Sequence, residues 1–162
     1  MAKKSAGTPA TVALERAGIA YTAHAYEHDP AAPSYGLEAA EALGLEPDVV
    51  FKTLLADAGG ELVVAIVPVA DQLDLKALAE AVGAKRAVMA DPAVAARVTG
   101  YVVGGISPVA QKKRLRTVLD SSALEHPQVY VSGGRRGFDI GIAPADLVSV
   151  TGATTAPIRR DR

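Results

Sequence analysis

The segment YVVGGISP, residues 101–108, leads from a short apolar stretch directly into two adjacent glycines, Gly104 and Gly105. Residues without a Cβ atom let a ligand approach the main chain, and they adopt backbone angles that other residues avoid. Adjacent backbone N–H groups of this kind can bind a carbonyl oxygen or an oxyanion. The segment therefore has two interpretations: a carbonyl-binding loop at the end of a strand, or a plain Gly-Gly turn.

Lys52 and Asp139 are each the only charged residue in an apolar run, VVFKTLL at 49–55 and FDIGI at 138–142. Burying an ammonium or a carboxylate is costly, so each side chain either faces solvent or meets an oppositely charged group. On the functional interpretation, Lys52 faces a phosphate or a substrate oxygen at a pocket rim, and Asp139 pairs with a substrate ammonium. Simple alternation along a half-exposed strand is the alternative for both.

Tyr26 and Tyr35 flank a loop at 27–34 that contains two prolines. Aromatic residues are scarce in this chain, which has five Tyr, two Phe and no Trp. Two tyrosines beside one loop indicate either the wall of a pocket or a hydrophobic clasp over the core.

Metal, cofactor and nucleophile signals are weak. The chain has no cysteine, and only three histidines. His24 and His28 are four residues apart, but they fall on a predicted strand and a proline-containing loop rather than on a helix, which leaves only His126. Several serines lie near glycine or proline, but none is in the G-x-S-x-G pattern. Neither a dinucleotide-binding glycine motif nor a P-loop occurs. We predict no metal site and no cofactor.

The chain carries a formal net charge of −1, so it has no overall attraction to nucleic acid. Its basic residues are nevertheless clustered, at Lys112, Lys113, Arg114 and Arg116, at Arg135 and Arg136, and at Arg159, Arg160 and Arg162. Clusters that converge in space would form a basic patch able to bind phosphates. The alternative is a set of solvated side chains on separate loops.

With 162 residues, the chain is expected to fold as one domain over residues 8–162, after a flexible tail at 1–7. The N-terminus has two lysines but no apolar run behind them, which is not the pattern of a signal peptide. The longest apolar run, 62–70, is far shorter than the roughly 20 residues that cross a bilayer. We predict a cytoplasmic protein without a membrane partner.

Caps and periodicity predict short helices and strands that do not alternate regularly. Helices are predicted at 8–17, 37–43, 73–82, 91–100 and 143–150, with a helical start at 47–48. Strands are predicted at 19–26, 49–56, 62–69, 101–106, 117–119, 129–132 and 138–142, with a short one near Val88. This mixture indicates an α+β fold with a mixed, strongly twisted sheet surrounded by helices.

Several segments together resemble the YbaK (EbsC) family. They are YEHD at 26–29, FKTLL at 51–55, QLDLK at 72–76, MADP at 89–92, TGYVVGGISP at 99–108, QKKRL at 111–115 and YVSGG at 130–134. Members of this family are free-standing aminoacyl-tRNA deacylases related to the editing domain of bacterial prolyl-tRNA synthetase. The resemblance covers nearly the whole chain, and the segments occur in the expected order. It is strongest to the branch that hydrolyses Cys-tRNA(Pro) and Cys-tRNA(Cys).

The resemblance implies roles for individual residues. The family's essential lysine corresponds to Lys52, and its carbonyl-binding loop corresponds to 104–108, so Lys52, Gly104 and Gly105 are the implied catalytic residues. The positions implied to contact the substrate are Tyr26, Tyr35, Ile106, Ser107, Ser132, Gly133 and Asp139. Tyr35 stands where the family has phenylalanine, which adds a hydroxyl to the expected pocket. Asp71 replaces a small residue and is expected on the surface.

The resemblance also implies a reaction in which the thiol of a mischarged cysteine attacks its own ester carbonyl and forms a cyclic thioester. Lys52 has the same charge as the substrate ammonium, so it is expected at the terminal adenosine or a phosphate, with Asp139 nearer the ammonium. We expect Lys112, Lys113, Arg114, Arg135 and Arg136 to contact the acceptor stem, and prolyl-tRNA synthetase to be a partner. A deacylase for Ala- or Ser-tRNA and a non-catalytic binding module remain alternatives.

Overall fold

The computed structural model describes residues 7–160, so the predicted tail at 1–7 lies outside the described residues except for Gly7. Within 7–160 the chain forms five α-helices: α1 (Pro9–Ala17), α2 (Tyr35–Leu43), α3 (Leu75–Val82), α4 (Pro92–Thr99) and α5 (Pro144–Thr151). Short 3₁₀ helices lie at Pro47–Val49 and Ser121–Glu125. No helix in this part of the chain has the length and apolar character needed to cross a membrane.

Local capping residues set the ends of these helices. The side chains of Thr8, Ser34, Asp74 and Asp91 each accept a hydrogen bond from a backbone N–H in the first turn of α1 to α4. Among residues 7–160, all five α-helices end at a glycine whose φ lies between 69° and 82°. The five predicted helices are therefore confirmed, with boundaries shifted by at most a few residues.

The described residues contain ten strands: β1 (Thr22–Ala25), β2 (Phe51–Ala58), β3 (Glu61–Pro68), β4 (Gln72–Leu73), β5 (Ala87–Met89), β6 (Arg116–Asp120), β7 (Val129–Arg135), β8 (Phe138–Ile142), β9 (Thr154–Ala156) and β10 (Arg159–Arg160). The strand predicted at 101–106 is wrong, because this segment is an irregular loop that contains a turn. The sequence analysis missed β4, β9 and β10, which have three residues or fewer and depend on distant partners.

A five-stranded sheet in the order β5-β2-β3-β6-β9 forms the centre of the fold. Its β2–β3 and β2–β5 pairs are antiparallel, whereas β3–β6 and β6–β9 are parallel, so the sheet is mixed as predicted. Both faces of β3 are buried: Val63 packs into a cluster with Leu78 of α3, and Ile66 packs into a cluster with Leu14 of α1 and Leu147 of α5. Burial on both faces explains the continuous apolar run in β3.

A second sheet has three antiparallel strands in the order β1-β8-β7. Val131 and Ile140 lie opposite each other on its core-facing side and are fully buried. Ser132 and Asp139 lie opposite each other on the other side, yet Asp139 is only 6% exposed. Other parts of the chain therefore cover this second face, which an isolated alternating strand would leave in water.

The buried carboxylate of Asp120 holds the C-terminal segment in place through hydrogen bonds. Asp120 is 1% exposed and accepts hydrogen bonds from the backbone N–H groups of Ile158 (2.8 Å), Arg159 (3.1 Å) and Ser122 (3.1 Å), and also from the Ser122 hydroxyl. Arg159 in turn donates to Asp71 over 2.9 Å. The expectation that Asp71 is on the surface is wrong, because pairing with Arg159 lets it lie buried at 8% exposure.

We expect Asp120→Asn to lower the free energy of unfolding by about 3 kcal/mol, because a neutral amide cannot accept all of these bonds and brings donors into a buried site. Urea unfolding followed by circular dichroism measures the change. Glu61→Gln is the matched control, since Glu61 forms an exposed ion pair with Arg116, which contributes about 0–1 kcal/mol. If the two variants lost equal free energy of unfolding, the stabilising role of Asp120 would be contradicted.

Candidate active site

A cavity of about 380 Å³ opens between the start of α2, β2, the 101–106 loop and the β7–β8 hairpin. Seven of the residues predicted to be catalytic or substrate-binding line it: Tyr26, Tyr35, Lys52, Gly104, Ile106, Ser132 and Asp139. Gly105, Ser107 and Gly133 do not line it. The tertiary fold thus brings together residues that are more than a hundred positions apart in sequence.

Gly104 lies at the third position of a tight turn in which the Gly105 N–H donates to the Val102 carbonyl over 2.9 Å. Its φ of +88° is typical of that position in a type II turn, which strongly favours glycine. A Cβ atom on Gly104 would also lie 2.6 Å from the ring of Tyr35. The turn interpretation is therefore confirmed, and the turn forms part of the cavity wall, whereas carbonyl binding by this segment stays a prediction.

Gly105 is required for a different reason. A Cβ atom there would lie 2.7 Å from the backbone carbonyl carbon of Arg135 and 2.8 Å from the backbone nitrogen of Arg136. The tip of the β7–β8 hairpin therefore packs directly on the main chain of Gly105. The Gly105 N–H already donates to the Val102 carbonyl. The role of Gly105 in this structure is therefore to leave room for the hairpin backbone.

Ser107 and Gly133 support the wall. Ser107 is fully buried, and its hydroxyl accepts a hydrogen bond from the Val109 N–H over 3.2 Å. A Cβ atom on Gly133 would collide with the ring of Phe138, and the Gly133 carbonyl accepts a 2.6 Å hydrogen bond from the Thr8 hydroxyl. Both residues stabilise neighbouring backbone, and substrate contact by either one stays a prediction.

Burial governs the electrostatics of the cavity. Burial raises the pKa of Asp139 from 3.8 to about 7. Burial, together with the negative charges of Asp139 and Glu38, raises the pKa of Tyr26 to about 12. The cavity therefore holds a carboxyl group that gains much from a cationic partner, because an ammonium beside it would stabilise its charged form.

Lys52 lies in β2, opposite Val67 of β3, and is half-buried in the cavity wall. The neighbouring Thr53 also lines the cavity, and its hydroxyl oxygen is buried without a hydrogen-bond partner among the described residues. A buried hydroxyl without a partner is costly, and a bound ligand can supply the missing bond. The sequence analysis missed Thr53, because nothing in an apolar strand distinguishes an unpaired threonine from a packed one.

No group of acidic residues and histidines within residues 7–160 is arranged to hold a metal ion. A family model described as an aminoacyl-tRNA editing domain matches residues 29–150, which include every lining residue of the cavity except Tyr26. The chain belongs to this family. The helices and mixed sheet of the described residues confirm the predicted α+β class, and the family match confirms the predicted resemblance.

Known relatives agree with this assignment. A protein of Enterococcus faecalis, EbsC, named as a candidate Cys-tRNA(Pro)/Cys-tRNA(Cys) deacylase, is 40% identical over 121 residues, which cover 74% of this chain and 73% of the relative. A crystal structure described as a candidate trans-editing enzyme for prolyl-tRNA synthetase is 27% identical, with a TM-score of 0.81 and 99% of both chains covered. The crystal structure of a hypothetical protein, APE2540, has the same identity and TM-score and covers 91% of this chain and 96% of its own.

Tyr35 forms the outer wall of the editing-domain cavity and is 39% exposed. Its ring stacks on His28 with 5.7 Å between ring centres, and the guanidinium of Arg136 lies 5.3 Å from the ring centre. Glu38 secures this arrangement by binding His28 Nδ1 over 2.9 Å and the Asp29 N–H over 2.6 Å. Burial would raise the pKa of Glu38, but the bonds from Asp29 and His28 lower it below its ordinary value.

The basic clusters have different surroundings in this editing domain. Lys112, Lys113 and Arg114 are exposed and do not line the cavity. Arg116 pairs with Glu61 and donates to the Val82 carbonyl. Arg159 forms an ion pair with buried Asp120, and Arg160 donates a hydrogen bond to the Gln72 side chain. Arg135 lies over Phe138 at 4.9 Å, whereas Arg162 lies outside the described residues.

We expect the stability of the protein to fall as the pH rises from about 4 to about 7. Because burial raises the pKa of Asp139, folding favours its protonated form. This contribution to stability is complete below the unfolded-state pKa and is lost as the pH approaches about 7. The free energy of unfolding changes by about 1.4 kcal/mol per pH unit between the unfolded-state and folded-state pKa values, so the expected loss of stability is about 4 kcal/mol. Urea unfolding across this pH range, compared with Asp139→Asn, measures it.

The Asp139→Asn protein has no carboxyl to titrate at this position. We therefore expect its profile of stability against pH to lack the decline of about 4 kcal/mol that is due to Asp139. Asp48→Asn, at an exposed position, is the control and is expected to keep the wild-type profile. Parallel profiles for wild type and Asp139→Asn would contradict the raised pKa.

Proposed function

We propose that this protein is a trans-editing aminoacyl-tRNA deacylase that hydrolyses mischarged Cys-tRNA(Pro) in the cytoplasm. The observation that carries the proposal is the cavity, which combines Lys52, buried Asp139 and the Gly104 turn in a chain of the editing-domain family. The Enterococcus relative, whose name specifies Cys-tRNA(Pro) and Cys-tRNA(Cys), supports this choice of substrate. Editing is needed because binding alone discriminates poorly between substrates of similar size.

In the proposed complex, the Gly104 turn binds the ester carbonyl. Within residues 7–160 the N–H groups of Gly104 and Ile106 have no hydrogen-bond partner, and both residues line the cavity. These two groups are therefore the main-chain donors that we assign to the developing oxyanion. The buried carboxylate of Asp139 pairs with the substrate ammonium. Lys52 is assigned to the terminal adenosine or its phosphate, where its charge is attractive.

The substrate thiol supplies the nucleophile in this proposal. Its sulfur attacks the ester carbonyl carbon, the bond to the ribose oxygen breaks, and that oxygen takes up the proton that the thiol releases. The products are the free tRNA and a cyclic thioester, which water then hydrolyses to cysteine. The described cavity wall supports this route because it contributes positioning and main-chain donors, and positioning can supply much of the rate.

Deacylation of Ser-tRNA(Pro) is a second candidate activity, and it is favoured by the buried Thr53 hydroxyl, which has no hydrogen-bond partner in the described part of the chain. A buried hydroxyl can hydrogen-bond to a substrate hydroxyl, and a site built for that bond gains selectivity from it. The comparison between cysteine and serine therefore separates two chemical explanations: attack by the thiol of the substrate, and recognition of a polar side chain by Thr53.

We expect the wild-type protein to deacylate Cys-tRNA(Pro) at least about 100-fold faster than Ser-tRNA(Pro) and Ala-tRNA(Pro), because only the thiol is a strong nucleophile near neutral pH. Lys52→Ala is expected to reduce the rate on Cys-tRNA(Pro) by about 100-fold or more. Single-turnover release of labelled amino acid measures each rate.

Lys76→Ala, at an exposed position on α3, is the matched lysine control and should keep full activity. Equal rates on cysteine and serine would rule out attack by the substrate thiol, and a faster rate on serine would favour the Thr53 route. Inactivity on every charged tRNA, with a folded protein, would leave a non-catalytic binding module as the function.

We propose that exposed Lys112 and Lys113 contact phosphates of the acceptor stem, with Arg114 beside them, and that prolyl-tRNA synthetase contributes the rest of the tRNA selectivity. The double variant Lys112→Ala/Lys113→Ala should weaken tRNA binding and reduce the magnitude of the slope of log K against log salt by about 1.4–1.8. Binding titrations at several salt concentrations measure the slope. An unchanged slope would place the phosphate contacts elsewhere.

A further inference from the structure

Arg136 makes two contacts that its position in a predicted basic patch does not explain. Its Nε–H donates to the carbonyl oxygen of Val103 over 2.8 Å, and its guanidinium lies 5.3 Å from the ring centre of Tyr35. Tyr35 in turn packs against Gly104. One side chain at the tip of the β7–β8 hairpin thus contacts both the glycine turn and the outer cavity wall.

The Val103 carbonyl belongs to the same peptide group as the Gly104 N–H. Because a trans peptide is planar, its C=O and N–H point in opposite directions. A hydrogen bond that fixes the carbonyl on the Arg136 side therefore fixes the N–H on the opposite side. The Gly104 N–H is one of the two main-chain donors assigned above to the ester carbonyl.

This peptide is also the one that a turn can reorient. The central peptide of a tight turn points one way in type I and the opposite way in type II, and the two forms differ mainly in the dihedral angles on either side of it. Glycine at position 104 can adopt both forms because it has no Cβ atom. The φ of +88° at Gly104 is the type II value, and in this orientation the Val103 carbonyl accepts the bond from Arg136.

We propose that Arg136 is a positioning residue that holds the Val103–Gly104 peptide in its type II orientation and so aims the Gly104 N–H at the substrate carbonyl. This inference rests on the proposed deacylase function. The guanidinium also withdraws electron density from the carbonyl, which makes the N–H of the same peptide a stronger donor.

The hairpin that carries Arg136 is held in place by contacts with other parts of the protein. Its backbone packs directly on Gly105, and Thr8 of the α1 N-cap bonds to its Gly133 carbonyl over 2.6 Å. The neighbouring Arg135 lies over the ring of Phe138, at the start of β8. A guanidinium attached to a fixed hairpin can hold a peptide, whereas a mobile one would only follow it.

Two substitutions at Arg136 test the role. We expect both Arg136→Gln and Arg136→Lys to lower kcat on Cys-tRNA(Pro) by about 10- to 100-fold, because neither places a planar N–H donor at Val103. KM and the salt dependence of binding are expected to stay within about twofold of wild type. Arg16→Gln, at an exposed position on α1, is the control and should leave both constants unchanged.

A phosphate contact, the role expected from the sequence alone, would give the opposite result. Arg136→Lys would then keep its activity, because lysine retains the charge, and Arg136→Gln would raise KM and reduce the salt slope. That outcome, or an unchanged kcat in both variants, would overturn the positioning role.

A measurement without substrate separates this inference from the proposed function. In the Arg136→Gln protein, the NMR amide signals of Gly104 and Gly105 are expected to shift, and hydrogen exchange at Gly105 is expected to accelerate by about tenfold or more. Unchanged signals and exchange would overturn the inference even if the wild type is active. If the wild type deacylates no tRNA, the proposed function fails, and the amide signals still decide whether Arg136 holds the turn.

Discussion

The site depends on the direct packing of the β7–β8 hairpin tip against the main chain of Gly105. No side chain fits between them, because a Cβ atom at Gly105 would lie 2.7 Å from the hairpin backbone. This contact joins a sheet on one side of the molecule to a loop that has no strand partner of its own. The turn itself has one internal hydrogen bond, so its position in the cavity wall depends on this contact together with the Arg136–Val103 bond and the packing of Tyr35 on Gly104.

The cavity combines main-chain donors with few charged groups, and this combination suits a substrate that is already activated. An ester needs a bound carbonyl and a positioned nucleophile more than it needs a strong base. Asp139 is kept from water by burial, so its charge is stabilised mainly by whatever cation binds beside it. Lys52 and Asp139 come from different sheets, and Thr53, whose buried hydroxyl has no hydrogen-bond partner among residues 7–160, also lines the cavity.

Two arginines show why charge clusters in a sequence do not identify a binding surface. Arg159 is adjacent to Arg160 in the chain, yet it forms ion pairs with Asp71 and Asp120 that hold the C-terminal segment in place. Arg136 is adjacent to Arg135, yet it bonds to a backbone carbonyl in a distant loop. Arginine can do this because its guanidinium offers several donors in a fixed plane, whether the acceptor is a phosphate, a carboxylate or a peptide.

The sequence by itself determined the helices, because their N-caps and terminal glycines act within a few residues. It also determined the β2–β3 hairpin, the fold class, and seven of the twenty residues that line the cavity, the last through a family resemblance. Only the tertiary structure decided that 101–106 is a loop with a turn, that the Thr53 hydroxyl has no partner within residues 7–160 and that Asp71 is buried. Each of these depends on atoms distant in the chain, such as the guanidinium of Arg159, and local propensity carries no information about such partners.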